Sequence, residues 1–260
     1  MALADRLVGQ KVLVLDIETS PTLTYTFGMR PKWISPDKIV EPSRVMCVGW
    51  KWYGGKTKLS AEYDFKARKI TTAKHADMIN EVWGLWDRAD AIVTFNGDRF
   101  DLPRLRSEFA LADLTPPRPA KSIDLFKLAK KQWQFESMSL NHLSQRFDLG
   151  EKFAHSGFDL WRRTMAGEHA AWVEMRTYCV QDVDLTQDVY DRMRGWMPTH
   201  PIIGAHNNDL RCNQCQGTNL ERTGTVRATV LDHTLYRCLD CGANVKGTWE
   251  SRVARTRGAS

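Results

Sequence analysis

The spacing of apolar positions changes several times along the chain, and each change marks an element. Lys11–Ser20 (KVLVLDIETS) is a short apolar run ending in Asp-Ile-Glu, the pattern of a buried strand with acids at its exit. Pro21–Pro42 carries Tyr25, Phe27, Trp33 and four prolines, too irregular for a regular element and expected to lie over the strand ends. Ser43–Tyr53 (SRVMCVGWKWY) and Thr57–Phe65 (TKLSAEYDF) read as strands joined through Gly54-Gly55, consistent with a hairpin. Thr72–Arg88 places Met78, Ile79, Val82, Trp83 and Trp86 at helical spacing, with Thr71 or Thr72 as cap, and its aromatics read as a core face. Asp90–Asn96 is a strand, followed by Gly97 and a helix through Leu105 and Phe109. Pro116, Pro117 and Pro119 break the chain before a strand at Lys121–Leu125 and a helix near Phe126–Lys131. Ser139–Leu149 predicts an amphipathic helix closed by Gly150. The last long helix runs from about Glu168 to Arg194, with Trp172, Met175, Cys179 and Leu185 at buried positions. Hairpin strands followed by strands alternating with helices imply an α/β fold, a mixed sheet with helices on its faces.

From Trp196 the pattern is lost in prolines, a glycine and paired asparagines, which read as a linker. The expected organisation is a domain over residues 1–196, a linker over 197–208, a small cysteine module over 209–250 and a basic tail over 251–260. No apolar run approaches a membrane span, and MALADRLVGQ lacks the features of a secretory signal, so the expected location is cytoplasmic. The formal net charge of +6 leans toward a polyanionic partner without establishing one.

Three stretches carry candidate chemistry. Alternate residues of a strand share a face, so Asp16 and Glu18 point one way while Ile17 turns into the core. Two acids on one face repel unless a cation sits between them or one is protonated, and hard cations such as magnesium take oxygen ligands of this kind. Asn96-Gly-Asp-Arg-Phe-Asp101 lies at the exit of another strand, on the rim where strand exits converge, so Asp101 can approach the first pair. Asp98 is its competitor, more simply explained as a turn residue. Tyr178 and Asp182 stand four apart on the long helix and share a face. There a phenol can orient a water and a carboxylate can hold a metal. Asp184 and Asp188 on the same helix read as solvated.

Taken together, these stretches resemble the DEDD superfamily of ribonuclease H-like 3′ to 5′ exonucleases. Asp16-Ile17-Glu18-Thr19 resembles the first motif, Asn96–Asp101 the second, and Tyr178 with Asp182 the Y-x3-D form of the third, as in polymerase proofreading domains. Ser122-Ile-Asp124-Leu and Ser139-Leu140 resemble the segment before the third motif in predicted phage and bacterial exonucleases. The resemblance spans roughly residues 8–195. It implies two Mg2+ (or Mn2+) ions held by Asp16, Glu18, Asp101 and Asp182, with Asp16 bridging and Tyr178 positioning the attacking water. Thr19, Asn96 and Phe100 would grip the terminal nucleotides. The implied substrate is nucleic acid, the 3′ ends of DNA or RNA, in replication or repair, with a replicative polymerase or other replication protein as a partner. Ribonuclease H-type cleavage of RNA in RNA-DNA hybrids and a non-catalytic adaptor are the alternatives.

Cys212 and Cys215, then Cys238 and Cys241, form two C-x2-C pairs, while Cys47 and Cys179 stand alone in apolar surroundings. Each pair suits a tight knuckle turn, and four thiolates make the closed shell of one structural Zn2+. The module resembles a zinc ribbon, with strands near Thr223–Leu231, Thr234–Arg237 and Asn244–Glu250. His206 and His233 are available as replacement ligands, but no vacancy calls for them. Arg211, Arg222, Arg227 and Arg237, with Tyr236 and Trp249, are candidates for contacting a phosphate backbone and stacking on a base, or for a protein interface.

Overall fold

The computed structural model describes residues 11–154, 156–197, 200, 211, 212, 214, 215, 217–227 and 232–250. Its contacts divide the chain into a unit of Lys11–Val189 and a second from Tyr190 onward. Most of the segment expected as a linker, and the whole basic tail, lie outside the described residues.

The first unit is built on a five-stranded sheet. β1 (Val12–Thr19) is central. On one side it pairs antiparallel with β4 (Val45–Trp52), which pairs antiparallel with β5 (Lys58–Ala61); on the other it pairs parallel with β8 (Ala91–Thr94), itself parallel to β9 (Lys121–Asp124). The order is β5-β4-β1-β8-β9. Both faces are covered, which explains why β1, β4 and β8 read as nearly continuous apolar runs. Leu13, Leu15 and Ile17 face α1 (Thr72–Asp87) and α2 (Asp101–Leu111), packing with Met78, Ile79, Val82, Leu102 and Leu105. Met46 and Cys47 lie in the opposite layer with Leu160 of α5 (Phe158–Met165) and with Trp172, Met175 and Cys179 of α6 (His169–Arg194). The mixed sheet flanked by helices is the expected fold class.

α6 packs directly on the sheet at Gly49, which has no side chain. A Cβ there would come within 2.8 Å of Val183 Cγ2 and 2.9 Å of the Cys179 carbonyl oxygen and Sγ. Gly49 is also the β4 partner of Asp16, so this close approach sets the distance between β1's acids and the helix. Gly49→Ala is expected to lower stability by about 1–3 kcal/mol, the range for overpacking a core, and a chemical-denaturation midpoint checks it.

Several elements differ from the sequence reading. Thr57–Phe65 is not one strand: a bend at Glu62 separates β5 from β6 (Tyr63–Asp64), which pairs with β7 (Lys69–Ile70). Glu62 is buried and accepts a bidentate pair from Arg44 at 2.8 and 3.0 Å, with His75 standing between it and Glu108 at 3.4 and 3.3 Å. A continuous strand would not turn that carboxylate toward its partners. The segment read as irregular holds two short paired strands, β2 (Leu23–Thr24) and β3 (Ile39–Glu41). Thr71 caps α1 by accepting from Lys74 N–H, and α3 (Leu125–Gln132) is capped by Asp124. α4 (Leu140–Arg146) stops before the expected glycine, because Asp148 takes the left-handed conformation (φ 57°) and Leu149 N–H reaches back to Ser144 O at 2.9 Å. α5 has no counterpart in the sequence reading. Asp184 is not simply solvated: buried Lys51 donates to it at 2.7 Å and Thr57 Oγ1 at 2.5 Å.

In the second unit, β10 (Leu220–Arg227), β11 (Asp232–Cys238) and β12 (Asn244–Glu250) form an antiparallel meander. Its core is Cys212, Cys215, Cys238, Ala243 and Val245, with Leu220, Tyr236 and Cys241 against it. Buried Arg194 donates Nε–H to Gln214 O at 2.6 Å, and Gln214 Nε2 donates to Met197 O at 2.7 Å. The first cysteine knuckle is thereby tied to the last turn of α6.

Candidate active site

β1 delivers Asp16 and Glu18 to the sheet face opposite Ile17, and the register slips between Glu18 and Thr19, where the strand ends. Asp182 comes from α6. Carboxylate oxygens of Asp16, Glu18 and Asp182 all lie within 4.8 Å of one another. Asp101 opens α2, with Phe100 as its N-cap, and its Oδ1 accepts the Ile17 N–H at 3.1 Å. That bond holds Asp101 against the peptide between the β1 acids, although it is not one of the three clustered carboxylates.

This crowding is expensive without a counter-charge. Burial, then the charges of Asp101, Glu18 and Asp182, hold the Asp16 carboxyl well above its usual range. Burial and then Asp182 push Glu18 up to about 8, and burial pushes Asp101 up to about 7. Oxygen donors packed this way suit a hard divalent cation, which replaces the shared protons.

The sequence reading passed over Lys152. It lies in the loop between α4 and α5, and its Nζ donates to Asp182 Oδ2 while standing 5.3 Å from the centroid of the Tyr178 ring. Nothing in the local sequence marks this lysine, since its partner is 30 residues away. Tyr178 faces the same acids, and burial followed by the charges of Glu18 and Asp182 keeps its phenol protonated. Asn141, Lys152, Phe153, Ala154 and Tyr178 line a cavity of about 380 Å³, within the ~300–1,000 Å³ of ligand sites.

The remaining candidates lie at the end of β1 and in the turn between β8 and α2. Thr19 is half-buried at the end of β1, and Phe100 is partly exposed. Asn96 takes φ 65° and donates its N–H to Asp124 Oδ1 at 3.0 Å, which shapes the turn before α2. Asp98 is engaged by Ser122 Oγ and by Lys127 Nζ.

The raised carboxyls make a sign-definite prediction. A folded-state pKa above the unfolded one contributes stability below the unfolded value, which is lost as pH rises through the folded one. For Glu18 that window runs from 4.5 to about 8, and for Asp101 from 3.8 to about 7. His75, pushed up to about 9 by its hydrogen bonds to Glu108 and Glu62, moves the same way between 6.5 and 9. Magnesium-free protein with its zinc retained is therefore expected to lose thermal stability across this range. Saturating magnesium should remove only the acids' share, so the Tm gap between the two samples should widen with pH. A constant gap would count against cation binding by these acids.

In the second unit the four cysteine sulfurs also lie within 4.8 Å of one another. Cys212–Cys241 and Cys215–Cys238 are separated by 3.7 and 3.5 Å, close to the ~3.8 Å edge of a tetrahedron with ~2.3 Å metal–sulfur bonds. The set is grouped as one metal ion requires. Of the two histidines, His233 Nδ1 is 3.4 Å from Gly247 O, and His206 lies outside the described residues.

A mixed sheet with carboxylates meeting at the exit of its central strand defines a ribonuclease H-like domain. The sequence profile of the RNase_H superfamily matches residues 41–194, and the chain belongs to that superfamily. The match begins after Asp16 and Glu18. Members are in general metal-dependent nucleases, so nuclease action on nucleic acid is the coarse function of this unit. Among solved structures the chain is similar to the family B DNA polymerase from the hyperthermophilic archaeon Pyrobaculum calidifontis, with 14% identity and a TM-score of 0.49. That likeness covers 72% of this chain and 25% of the polymerase chain, so this chain spans about a quarter of its length. No curated protein sequence matches the chain. Among the described residues no helix is long and apolar enough to cross a membrane.

Proposed function

We propose that the chain is a two-metal-dependent 3′ to 5′ exonuclease that hydrolyses phosphodiester bonds of nucleic acid, with DNA as the favoured substrate. The observation that carries this reading is the meeting of half-buried Asp16 and buried Glu18 of β1 with buried Asp182 of α6, within 4.8 Å. These three would hold one Mg2+ or Mn2+, and Asp101 with Asp16 would help hold a second. Divalent ions bound there supply positive charge to the oxygens on which negative charge develops, and make water a better nucleophile near neutral pH.

The chain's own groups do the rest. Tyr178 keeps its proton and can hold a water by its hydroxyl beside the acids. Lys152 places its ammonium next to Asp182, where a phosphate can also use it. Phe100, 40% exposed at the start of α2, offers a face for packing a terminal nucleotide, with Asn96 and Thr19 as hydrogen-bonding and backbone contacts. The second unit would carry one structural Zn2+ on Cys212, Cys215, Cys238 and Cys241, in a ribbon that guides nucleic acid. Replication or repair, with a polymerase as partner, is the proposed setting.

The test is cleavage of 5′-labelled single-stranded DNA, single-stranded RNA and an RNA-DNA hybrid, with magnesium or with chelator. A magnesium-dependent ladder shortening from the 3′ end is expected. Internal cuts confined to RNA in the hybrid would replace this reading with ribonuclease H-type cleavage, and inertness on all three would leave the adaptor.

A further inference from the structure

Between Ser20 and Arg44 the chain leaves the sheet and returns to it. The two feet are locked together: Ser20 N–H donates to Arg44 O at 2.9 Å, Arg44 N–H to Ser20 Oγ at 3.0 Å, and Ser43 Oγ to Ser20 O at 2.6 Å. They stand at the end of β1 where the acids exit, since Glu18 is two residues before the first foot. Above the feet β2 and β3 pair, and Tyr25 N–H and Thr24 Oγ1 both donate to Lys38 O, so the excursion is a built arm.

Its side chains face water. Tyr25 is 75%, Phe27 102% and Trp33 73% exposed, a concentration of bare aromatic surface that marks an interaction site. The charge around them is mostly positive. Residues 25–36 hold Arg30 and Lys32 and no acid, and Lys38 Nζ stands 5.3 Å from the centroid of the Phe27 ring. Asp37 and Glu41 occur only beyond that stretch, on the returning side. The cavity among the rings is about 200 Å³, below the ~300–1,000 Å³ of small-molecule sites, so the rings offer faces and not an enclosing pocket.

Aromatic faces interleaved with cations are what binds single-stranded nucleic acid without reading its sequence, because every base has a π-face and every linkage a negative charge. An apolar protein surface would use the rings but has no call for Arg30, Lys32 and Lys38 among them. We propose that this arm is a stacking platform for the single strand leading to the candidate active site. The proposal deepens the exonuclease reading and rests on it for the origin of the strand.

The experiment uses the full chain in magnesium-free buffer, with its zinc left in place, so that binding is read apart from cleavage. Fluorescence anisotropy follows a 5′-fluorescein oligothymidylate and a matched RNA, with a blunt duplex for comparison. The double substitution Phe27→Ala with Trp33→Ala is expected to weaken single-strand binding about twenty-five-fold, two stacking contacts at roughly fivefold each. It should leave blunt-duplex binding within about twofold, because paired bases are hidden in their own stack. Phe27→Tyr with Trp33→Phe keeps the ring faces and should bind within about twofold of the wild type. Circular dichroism confirms that each variant folds.

If the wild type cleaves and the alanine variant binds single strands as tightly as it does, the arm proposal fails and the exonuclease reading survives. If the strand is bound through the arm but nothing is cleaved with magnesium, the reading fails and the arm stands. A wild-type dimer that the alanine variant dissolves, at unchanged strand affinity, would assign the arm to self-association and overturn the proposal.

Discussion

Asp182→Asn is expected to lower magnesium-dependent turnover by roughly a thousandfold or more, about 4 kcal/mol of lost transition-state stabilisation, in a protein that remains folded. The substitution keeps the shape of the side chain and removes one of three carboxylates packed within 4.8 Å. It should also relieve the apo protein. The Asp182 charge is the largest influence after burial in pushing Glu18 up to about 8, so in chelator the variant should melt no lower than the wild type unless the loss of the Lys152 pair dominates. Lys152 is 28% exposed at its side chain and can return to water, which keeps that loss small. The rise in Tm on adding magnesium should shrink in parallel. Undiminished turnover by purified Asp182→Asn protein would remove this carboxylate from the mechanism.

The second large effect is expected in the cysteine unit. Its described core holds five buried side chains, four of them cysteine or alanine, too little apolar surface to fold alone. Structural zinc supplies about 10–16 kcal/mol in small modules of this kind, so the metal and the fold should be lost together. Purified protein is expected to carry about one equivalent of zinc. Cys238→Ala should carry almost none and should lose the ordered β10–β12 meander, seen as collapse of its amide shifts by NMR. Sulfur separations of 3.5 and 3.7 Å are far beyond a ~2.05 Å disulfide bond, so thiol titration after metal removal should release all four cysteines. An ordered, metal-free meander would overturn the assignment.

Much of the first unit was legible because its signals are local. Apolar runs located β1, β4 and β8, and helical spacing located α1 and α6. Thr71 acts as a cap as its sequence context suggested. Where Glu62 and Asp184 departed from the expectation a distant contact had overridden the local pattern, whereas α4 ends on a local turn. Glu62 breaks the second hairpin strand because Arg44 and His75 hold its carboxylate. α4 ends at Arg146 because Asp148 takes the turn assigned to Gly150. Asp184 reads as a solvated helix acid until β4 brings Lys51 to it.

Alternation within β1 already put Asp16 and Glu18 on one face, and the four-residue step on α6 put Tyr178 beside Asp182. The cysteine spacing likewise specified two knuckles. These are properties of backbone geometry, and the order of residues alone determines them. Only the tertiary structure decided how far apart the two sets stand, through the missing Cβ of Gly49. It alone bonded Asp101 to the Ile17 amide and brought Lys152 onto Asp182 from a loop. Such contacts join residues 30 to 84 positions apart, and their free energy appears only once packing has closed the intervening chain.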